Sequence, residues 1–257
     1  MLSKNKLKYL RSLALKKYRD AEGVFLAEGP KVVADLLPHL HCTLLCATPE
    51  WLSKQKNLSA DEIIEITERE LCQASQLRTP REVIAVFALP TPLELEPLHR
   101  TTQEDFVLAL DGVQDPGNLG TIIRLADWFG ICHLVCSPDT ADAYAPKVVQ
   151  ATMGALARVR LHYTELPKFL QSLPYNTPIM GTHLDGDNLY QQALPANGVL
   201  LMGNEGKGIS PEVETCVTAR LFIPNYPMGS STSESLNVAI ATALVCGELR
   251  RRAHAGN

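Results

Sequence analysis

The sequence of 257 residues predicts an α/β protein built from two domains. Short apolar runs, each long enough for one buried strand, alternate with helical patterns along most of the chain. A proline-rich break with three prolines in ten residues spans 89–98, and such segments are semi-rigid linkers. We therefore expect one domain over residues 1–90, a linker over 91–102 and a second domain over 103–257.

The N-terminal part predicts a small mixture of helices and strands. Leu7, Leu10, Leu13 and Leu15 give the first segment an apolar stripe at roughly helical spacing, with lysines elsewhere on its surface. Apolar runs predict strands at 24–27, 44–47, 63–66 and 83–87, and helical patterns lie at 31–37 and 68–77. Pro38 ends the first of these two helices, since the residue before a proline disfavours helical geometry.

The C-terminal part alternates strands and helices more regularly. Strands are predicted at 106–110, 133–136, 158–162, 179–183, 199–202 and 221–223, and helices at 119–129, 147–153, 165–173 and 236–252. This alternation predicts a mostly parallel sheet covered on both faces, with a ligand site at the carboxyl ends of its strands. The last helix is apolar on several faces, so we expect it to be buried.

The charge of the chain is unevenly distributed. It has 24 basic and 28 acidic residues, for a formal net charge of -4, which gives no sign of a nucleic-acid partner. Residues 1–19, however, contain seven basic residues and no acidic one. Such a start is typical of a mitochondrial presequence, of a solvated helix face or of a phosphate-binding surface. No run of about 18 apolar residues exists, so we expect no membrane span.

The seven cysteines are scattered and odd in number, and no secretory segment precedes them. This pattern predicts reduced thiols and a cytoplasmic protein. His39, His41, Cys42 and Cys46 lie close together, but their spacing fits no standard zinc-ligand pair, and we predict no metal site.

Three loops after predicted strands contain the residues best suited to chemistry. The first holds Asn118 and Arg124. Without a functional role, this loop would be the start of a capped helix with a surface arginine. The second holds three glycines around Glu205, with a spacing that fits neither a P-loop nor a dinucleotide fingerprint. The third places Ser235 and Asn237 at the mouth of the last helix, where they form either a helix cap or a ligand-binding loop.

Taken together, the loops resemble the three motifs of the SpoU family, the TrmH-like RNA 2'-O-ribose methyltransferases of the SPOUT superfamily. The matching patterns are Asn118-x-Gly120-x-x-x-Arg124, Gly203-x-Glu205-Gly206-x-Gly208, and Ile223-Pro224 followed by Ser235-Leu236-Asn237-Val238-Ala239. The start of the chain resembles that family's substrate-binding domain, through Ser3-x-Asn5, Lys17-x-Arg19 and Gly23-x-Phe25-x-x-Glu28-Gly29. One departure is a longer, serine-rich third motif between Asn225 and Glu234.

The resemblance implies a fold, a cofactor and a set of site residues. It implies an N-terminal domain of the L30e/L7Ae type, then a SPOUT α/β domain with a C-terminal trefoil knot, and a homodimer formed through the knot domain. It implies S-adenosyl-L-methionine as cofactor, with Thr182, Gly181, Gly203, Asn204, Gly208, Ile223 and Leu236 as its binding residues. The implied catalytic residues are Arg124, Asn118, Glu205, Ser235 and Asn237, and the RNA-binding residues are Asn5, Lys8, Lys16, Lys17 and Arg19.

The resemblance therefore implies methyl transfer to a ribose 2'-hydroxyl of structured RNA, with ribosomal RNA favoured over transfer RNA. It also favours the phosphate-binding interpretation of the basic start over a cleaved presequence. Two alternatives stay open from the sequence. One is an RNA-binding or ribosome-assembly protein of the same fold without turnover, and the other is a methyltransferase acting on a base.

Overall fold

The computed structural model describes residues 1–91, 95–227 and 235–255. The chain divides into two compact units. The first contains Met1–Thr91 together with Asp142–Arg158, and the second contains Pro92–Ala141 together with Val159–Asn257. Both units mix helices and strands, so the predicted α/β class is confirmed.

The residues up to 91 form five helices and four strands. In chain order they are α1 (Lys4–Ser12), α2 (Lys16–Glu22), β1 (Val24–Glu28), α3 (Pro30–Leu36), β2 (Cys42–Ala47), α4 (Pro49–Ser53), β3 (Glu62–Glu65), α5 (Glu68–Ala74) and β4 (Val83–Ala88). The sheet order is β1-β4-β2-β3, in which β4 is antiparallel to both neighbours and β3 is parallel to β2. Leu10 and Leu13 are fully buried, as the leucine stripe predicts, and they pack with Leu26, Leu44 and Val86.

The remaining elements follow the predicted alternation. They are α6 (Leu95–Glu104), β5 (Phe106–Leu110), α7 (Pro116–Trp128), β6 (His133–Cys136), α8 (Pro146–Thr152), β7 (Arg160–Tyr163), α9 (Leu166–Ser172), β8 (Ile179–Asn188), β9 (Gly198–Met202), α10 (Pro211–Glu214), β10 (Ala219–Phe222) and α11 (Val238–Ala255). Six of these strands form a sheet in the order β10-β8-β9-β5-β6-β7, with every pairing parallel. The predicted parallel sheet is therefore confirmed, whereas the trefoil knot stays a prediction.

Helix α8 belongs to the first unit, although it lies between two strands of the second-unit sheet in sequence. It packs on β1, and the ring of Tyr144, just before α8, contacts the ring of Phe25 with centroids 5.1 Å apart. This placement gives the first unit a segment that the sequence pattern assigns to the second predicted domain.

Helix α6 occupies part of the segment that the sequence predicts to be a linker. Pro97 lies in the first turn of this helix, where a backbone N–H has no partner inside the helix and its absence costs little. Leu98 is fully buried in the core of the second unit, next to Val107 and Val199. A proline-rich segment can therefore run into a packed helix when its last proline falls in the first turn.

Helix α11 is buried on only part of its surface, so the expectation of a buried helix is wrong for one face. Val245, Cys246 and Leu249 are buried, whereas Ile240 is 53% exposed and Leu244 is 39% exposed. Leu236 just before the helix is also exposed. No helix among residues 1–91, 95–227 and 235–255 is long and apolar enough to cross a membrane.

Candidate active site

The carboxyl ends of β8, β9 and β10 surround a cavity of about 870 Å³ in the second unit. This is the edge of the sheet at which the sequence predicts a ligand site. Its walls come from the end of β8, the loop after β9, the end of β10 and the start of α11. The predicted cofactor residues on these walls are Thr182, Gly203, Asn204, Gly208, Ile223 and Leu236. Ser235, Glu205 and Lys207 also line it.

The loop after β9 is closed by its own backbone. Asn204 and Gly208 exchange two backbone hydrogen bonds of 2.9 Å, and the Asn204 Oδ1 accepts from the backbone N–H groups of Gly206 and Lys207. A Cβ on Gly203 would lie 2.3 Å from the carbonyl carbon of Gly208. A side chain at Gly203 would therefore collide with the backbone of the loop itself. Gly208 has φ +71°, a left-handed conformation that suits glycine.

Strand β8 bulges where it lines the cavity. Its pairing with β10 shifts register after Gly181, so residues 182–186 leave the ladder and form a wall. Gly181 lies behind this wall, and a Cβ there would meet the Nε2 of His183 at 2.7 Å and the Cδ1 of Ile209 at 2.9 Å. Position 181 therefore has no room for a side chain because His183 and Ile209 pack against it. Thr182, by contrast, lines the cavity.

Three of the predicted catalytic residues are joined in one hydrogen-bonded chain. The Nδ2 of Asn118 donates to the Oε1 of Glu205 at 2.9 Å, and the Nδ2 of Asn237 donates to the Oδ1 of Asn118 at 2.8 Å. The carboxylate of Glu205 also accepts from the backbone N–H groups of Gln114 and Asp115. Residues from three separate loops thus fix the orientation of one amide, that of Asn118.

Helix caps decide two positions that the sequence leaves ambiguous. Asp115, not Asn118, caps α7, because its Oδ1 accepts from the backbone N–H of Asn118. Asn237, not Ser235, caps α11, since its Oδ1 accepts from the N–H groups of Ala239 and Ile240. The Asn118 side chain is therefore free to bond Glu205 and Asn237, and Asn237 both caps its helix and bonds Asn118.

Arg124 lies on α7 and is exposed to solvent. In the parts of the chain that the structure describes, its guanidinium forms no ion pair or side-chain hydrogen bond. Six residues of an α-helix rotate by about 600°, so Arg124 and Asn118 point in directions that differ by about 120°. The two residues share a helix but not a face, and Glu205 orients Asn118 rather than Arg124.

Ser235 and Leu236 are exposed at the rim of the cavity, where α11 begins. The longer third motif is described only up to Pro227 and again from Ser235. The rest of that motif, 228–234, lies outside the described residues.

Four of the five predicted RNA-binding residues are exposed on α1 and α2 of the first unit, namely Asn5, Lys8, Lys16 and Lys17. Lys16 pairs with Asp20 at 2.9 Å, and the Nζ of Lys17 lies 4.8 Å from the ring centroid of Tyr18. Both contacts are at the surface, where such pairs contribute little.

Arg19 is the exception, because it is only 2% exposed. Its Nη1 donates to the carbonyls of Leu13 and Ala14, and its Nη2 bonds Asp142. A buried guanidinium held in this way is not available to an RNA phosphate, so the expectation for Arg19 is wrong in this structure. Arg19 instead joins α2 to the 142–158 segment within the first unit.

The histidines and cysteines near residue 40 separate in the fold. Cys42 and Cys46 are buried in β2, and burial raises the pKa of the Cys46 thiol to about 12. His41 is exposed and bonds Asp61 at 2.9 Å. Among the described residues, no group of three or more histidine, cysteine or carboxylate side chains could hold a metal ion.

A second polar cluster at the cavity has no counterpart in the sequence motifs. His183, Asp185, Glu214 and Arg220 contact one another on the walls formed by β8, α10 and β10. Burial lowers the pKa of His183, and Arg220 acts in the same direction, while Glu214 opposes it. The sequence gives no periodicity or spacing that brings these four residues together.

The cavity suits an adenosine carrying a sulfonium and an amino acid. Met202, Leu221, Val238 and Ala241 line it with apolar atoms, which can cover a base ring. At Gly203, Gly206 and Gly208 the loop lines the cavity with backbone groups alone. Charged groups at the rim can meet the polar ends of such a ligand.

Two family models match the chain. The SpoU rRNA Methylase family matches residues 105–247, and an MRM3-like substrate binding domain matches residues 4–85. The chain is 30% identical over 256 residues to the 23S rRNA (guanosine(2553)-2'-O)-methyltransferase RlmP of Bacillus subtilis, covering 95% of this chain and 96% of the relative.

Solved structures agree with the family models. A TrmH-family protein from Porphyromonas gingivalis has a TM-score of 0.87 and 44% identity, with 98% of this chain and 99% of that chain covered. An AdoMet-bound rRNA methyltransferase from Sinorhizobium meliloti has a TM-score of 0.82 and 29% identity, with 98% and 97% covered. With the family model spanning more than half of the sequence and relatives matching along its whole length, the chain belongs to the SpoU rRNA methylase family.

Proposed function

We propose that this protein transfers a methyl group from S-adenosylmethionine to a ribose 2'-hydroxyl of ribosomal RNA. The family membership supports the reaction class. The RlmP relative methylates a guanosine of 23S rRNA, as its name states, and the Sinorhizobium relative is an rRNA methyltransferase with AdoMet bound. These relatives favour ribosomal RNA over transfer RNA as the substrate.

The hydrogen-bonded chain of Glu205, Asn118 and Asn237 is the observation that carries the proposal. It joins the first turn of α7 and the loop after β9 to the start of α11, next to the cavity. When bound, the cofactor supplies an already activated methyl group, so much of the rate depends on positioning the acceptor. A fixed Asn118 amide can hold a ribose in line for displacement, and Glu205 prevents that amide from rotating.

Arg124 is the group best suited to the charge that develops on the ribose oxygen. A guanidinium stays protonated in proteins, so it serves as an electrostatic stabiliser rather than as a base. Its exposure and lack of a described partner leave it able to contact a phosphate or a developing alkoxide. Ser235 at the rim is assigned to substrate positioning.

The cofactor is assigned to the cavity, with Thr182, Gly203, Asn204, Gly208, Ile223 and Leu236 around it. Gly203 and Gly208 shape the loop, and Asn204 braces it by donating to the carbonyl of Gly112 at 2.6 Å. Gly181 acts behind the wall by making room for His183.

The first unit is assigned to RNA binding. Lys8, Lys16, Lys17 and Asn5 are exposed there, and the MRM3-like substrate binding domain covers them. Lysines neutralise phosphates without reading sequence, so this surface supplies affinity and orientation.

A homodimer formed through the second unit, for which the resemblance implies a trefoil knot, is part of the proposal. Leu236, Ile240 and Leu244 are spaced four residues apart and are exposed, which fits an apolar face awaiting a second copy. Light scattering at micromolar concentration tests it, with a dimer expected and Ile240→Glu expected to give monomer. A wild-type monomer would contradict it.

The location is proposed to be the cytoplasm, in keeping with seven free thiols.

The decisive experiment maps 2'-O-methyl positions in total RNA from a deletion strain and its parent. We expect one or a few ribosomal positions to lose methylation, and expression of the wild-type chain to restore them. Loss of a base methyl would instead indicate base methylation. An unchanged map, with RNA binding retained, would indicate the non-catalytic protein of the same fold.

A further inference from the structure

The cluster of His183, Asp185, Glu214 and Arg220 forms a charged corner on the cofactor cavity, distinct from the Glu205–Asn118–Asn237 chain. All four residues line the cavity, and they come from the β8 bulge, α10 and β10. None of them belongs to the three motifs on which the family resemblance rests.

Arg220 is the centre of this corner. Its Nη2 lies 3.0 Å from the Oδ1 of Asp185 and 3.1 Å from the Nδ1 of His183, and its Nε lies 3.5 Å from the Oε1 of Glu214. Because a guanidinium only donates, the Nδ1 of His183 is an acceptor. The proton of the neutral ring is then on Nε2, which is buried 3.3 Å from the Oε2 of Glu214 without forming a hydrogen bond to it.

The histidine is only 10% exposed, so it acts as a fixed support. Arg220 is 46% exposed and Asp185 is more so, and both can therefore contact a ligand. A guanidinium has five donors in a planar fork, and the contacts with His183, Asp185 and Glu214 engage Nη2 and Nε but not Nη1. The corner thus presents a cation next to two carboxylates, on a support that holds the cation in place.

A zwitterionic amino acid needs this combination of charges. Its carboxylate pairs with a guanidinium, and its ammonium pairs with carboxylates. The other charged groups on the described walls are Glu205 and Lys207. Glu205 already accepts from Asn118 and from two backbone N–H groups, and Lys207 has no acidic partner among the described residues.

From this geometry we infer that Arg220, with Asp185 and Glu214, binds the amino-acid end of S-adenosylmethionine, and that His183 positions Arg220. This inference rests on the proposed function, because it assigns the cavity to that cofactor. The adenosine portion then occupies the apolar part of the cavity, between the glycine loop and α11.

Two ligands that differ only in this end test the assignment. S-adenosylhomocysteine carries the amino acid, whereas 5'-methylthioadenosine lacks it and keeps the adenosine and sulfur. We expect Arg220→Gln to weaken S-adenosylhomocysteine binding by about ten-fold, which is the lower range for a charged hydrogen bond. Its binding of methylthioadenosine should change by less than about two-fold. Calorimetry on the full chain measures both.

Lys207→Gln is the matched control, since it removes one positive charge from the same cavity. It should leave the ratio of the two affinities at the wild-type value. Asp185→Asn should shift that ratio in the same direction as Arg220→Gln, by a smaller factor. Thermal melts of each variant establish that the fold is retained.

Equal weakening of both ligands by Arg220→Gln would overturn the inference, as would a selective loss in Lys207→Gln. If the wild-type chain bound neither ligand, the assignment of the cavity to this cofactor would fail instead. The two failures are therefore distinguishable.

Discussion

In the second unit, Asn118 is bonded to both Glu205 and Asn237, whereas in the first unit Lys8, Lys16 and Lys17 lie on exposed helix surfaces. The first arrangement fixes one side chain through several partners, and the second holds long side chains at the surface by weak contacts, such as that of Lys16 with Asp20. Positioned groups suit a reaction that depends on orientation. Surface cations suit a polyanion whose phosphates are contacted without a strict geometry. The two units should therefore respond differently to substitution.

The largest effect should come from Arg124→Ala. Removing the proposed stabiliser of the developing oxygen charge should lower kcat by about 10²–10³-fold, the range for loss of one such group. Binding of S-adenosylhomocysteine should be unchanged, because Arg124 does not line the cavity. Single-turnover methylation and calorimetry measure the two properties. The matched control is Arg160→Ala, which removes another exposed arginine of the second unit. Arg250 is unsuitable as a control because it pairs with Asp105. Retained turnover in Arg124→Ala would remove Arg124 from the proposed mechanism.

The next effect concerns the closed loop after β9. Gly203→Ala places a Cβ against the backbone of Gly208, and such overpacking costs about 1–3 kcal/mol. We expect cofactor binding to weaken by roughly 5- to 150-fold, which is that cost expressed as a ratio of affinities. Gly206→Ala is the matched control, because a Cβ there meets only the Asn204 Oδ1 at 3.8 Å. Equal affinities of the two variants in calorimetry would show that the loop tolerates opening.

A graded effect is expected from the exposed lysines. Changing Lys8, Lys16 and Lys17 together to Gln should weaken RNA binding by about ten-fold and reduce the slope of log K against log salt by about 2. Cofactor affinity should not change. Lys31, Lys54 and Lys56 are also exposed in the first unit, and their triple Gln variant removes the same charge. Filter binding over a salt series distinguishes a local surface from a general charge effect. Equal slopes for the two triple variants would indicate that α1 and α2 present an ordinary solvated surface rather than an RNA-binding one.

The smallest effect concerns a histidine pair on β6 and β7. The Nδ1 of His133 lies 3.2 Å from the Nε2 of His162, and burial lowers the pKa of His162 to about 4 from its usual 6.5. The unfolded chain therefore binds a proton first as the pH falls, so stability is lost between about pH 6.5 and pH 4. We expect a loss of about 1–2 kcal/mol between pH 7 and pH 5 from this residue.

His162→Asn should flatten that acid dependence in urea unfolding measured from pH 7 to pH 5. The control is His41→Asn, because His41 lies on an exposed surface next to Asp61. If the free energy of unfolding of His162→Asn kept the wild-type pH dependence, burial of the neutral His162 would not be the cause of the acid sensitivity.

Much of the fold is predictable from local patterns. Strand β5 and strand β6 lie where the apolar runs place them, because a buried strand needs a continuous apolar segment. The structure of the proline-rich segment is harder to predict. Its three prolines indicate a linker, and nothing in the local sequence shows that Leu98 packs into a core. The placement of α8 with the first unit also depends on contacts distant in sequence, such as Tyr144 on Phe25.

The sequence by itself determined the α/β class, the order of the strands and helices, and the three motifs that resemble one methyltransferase family. These are properties of neighbours along the chain. The tertiary structure decided the rest: that Glu205 holds Asn118, that Arg19 is buried against Asp142, and that the backbone of Gly208 leaves no room for a side chain at Gly203. It also brought His183 and Arg220 to one corner of a cavity. Each of these contacts joins residues from separate segments, and their geometry exists only once the sheet has aligned the ends of its strands.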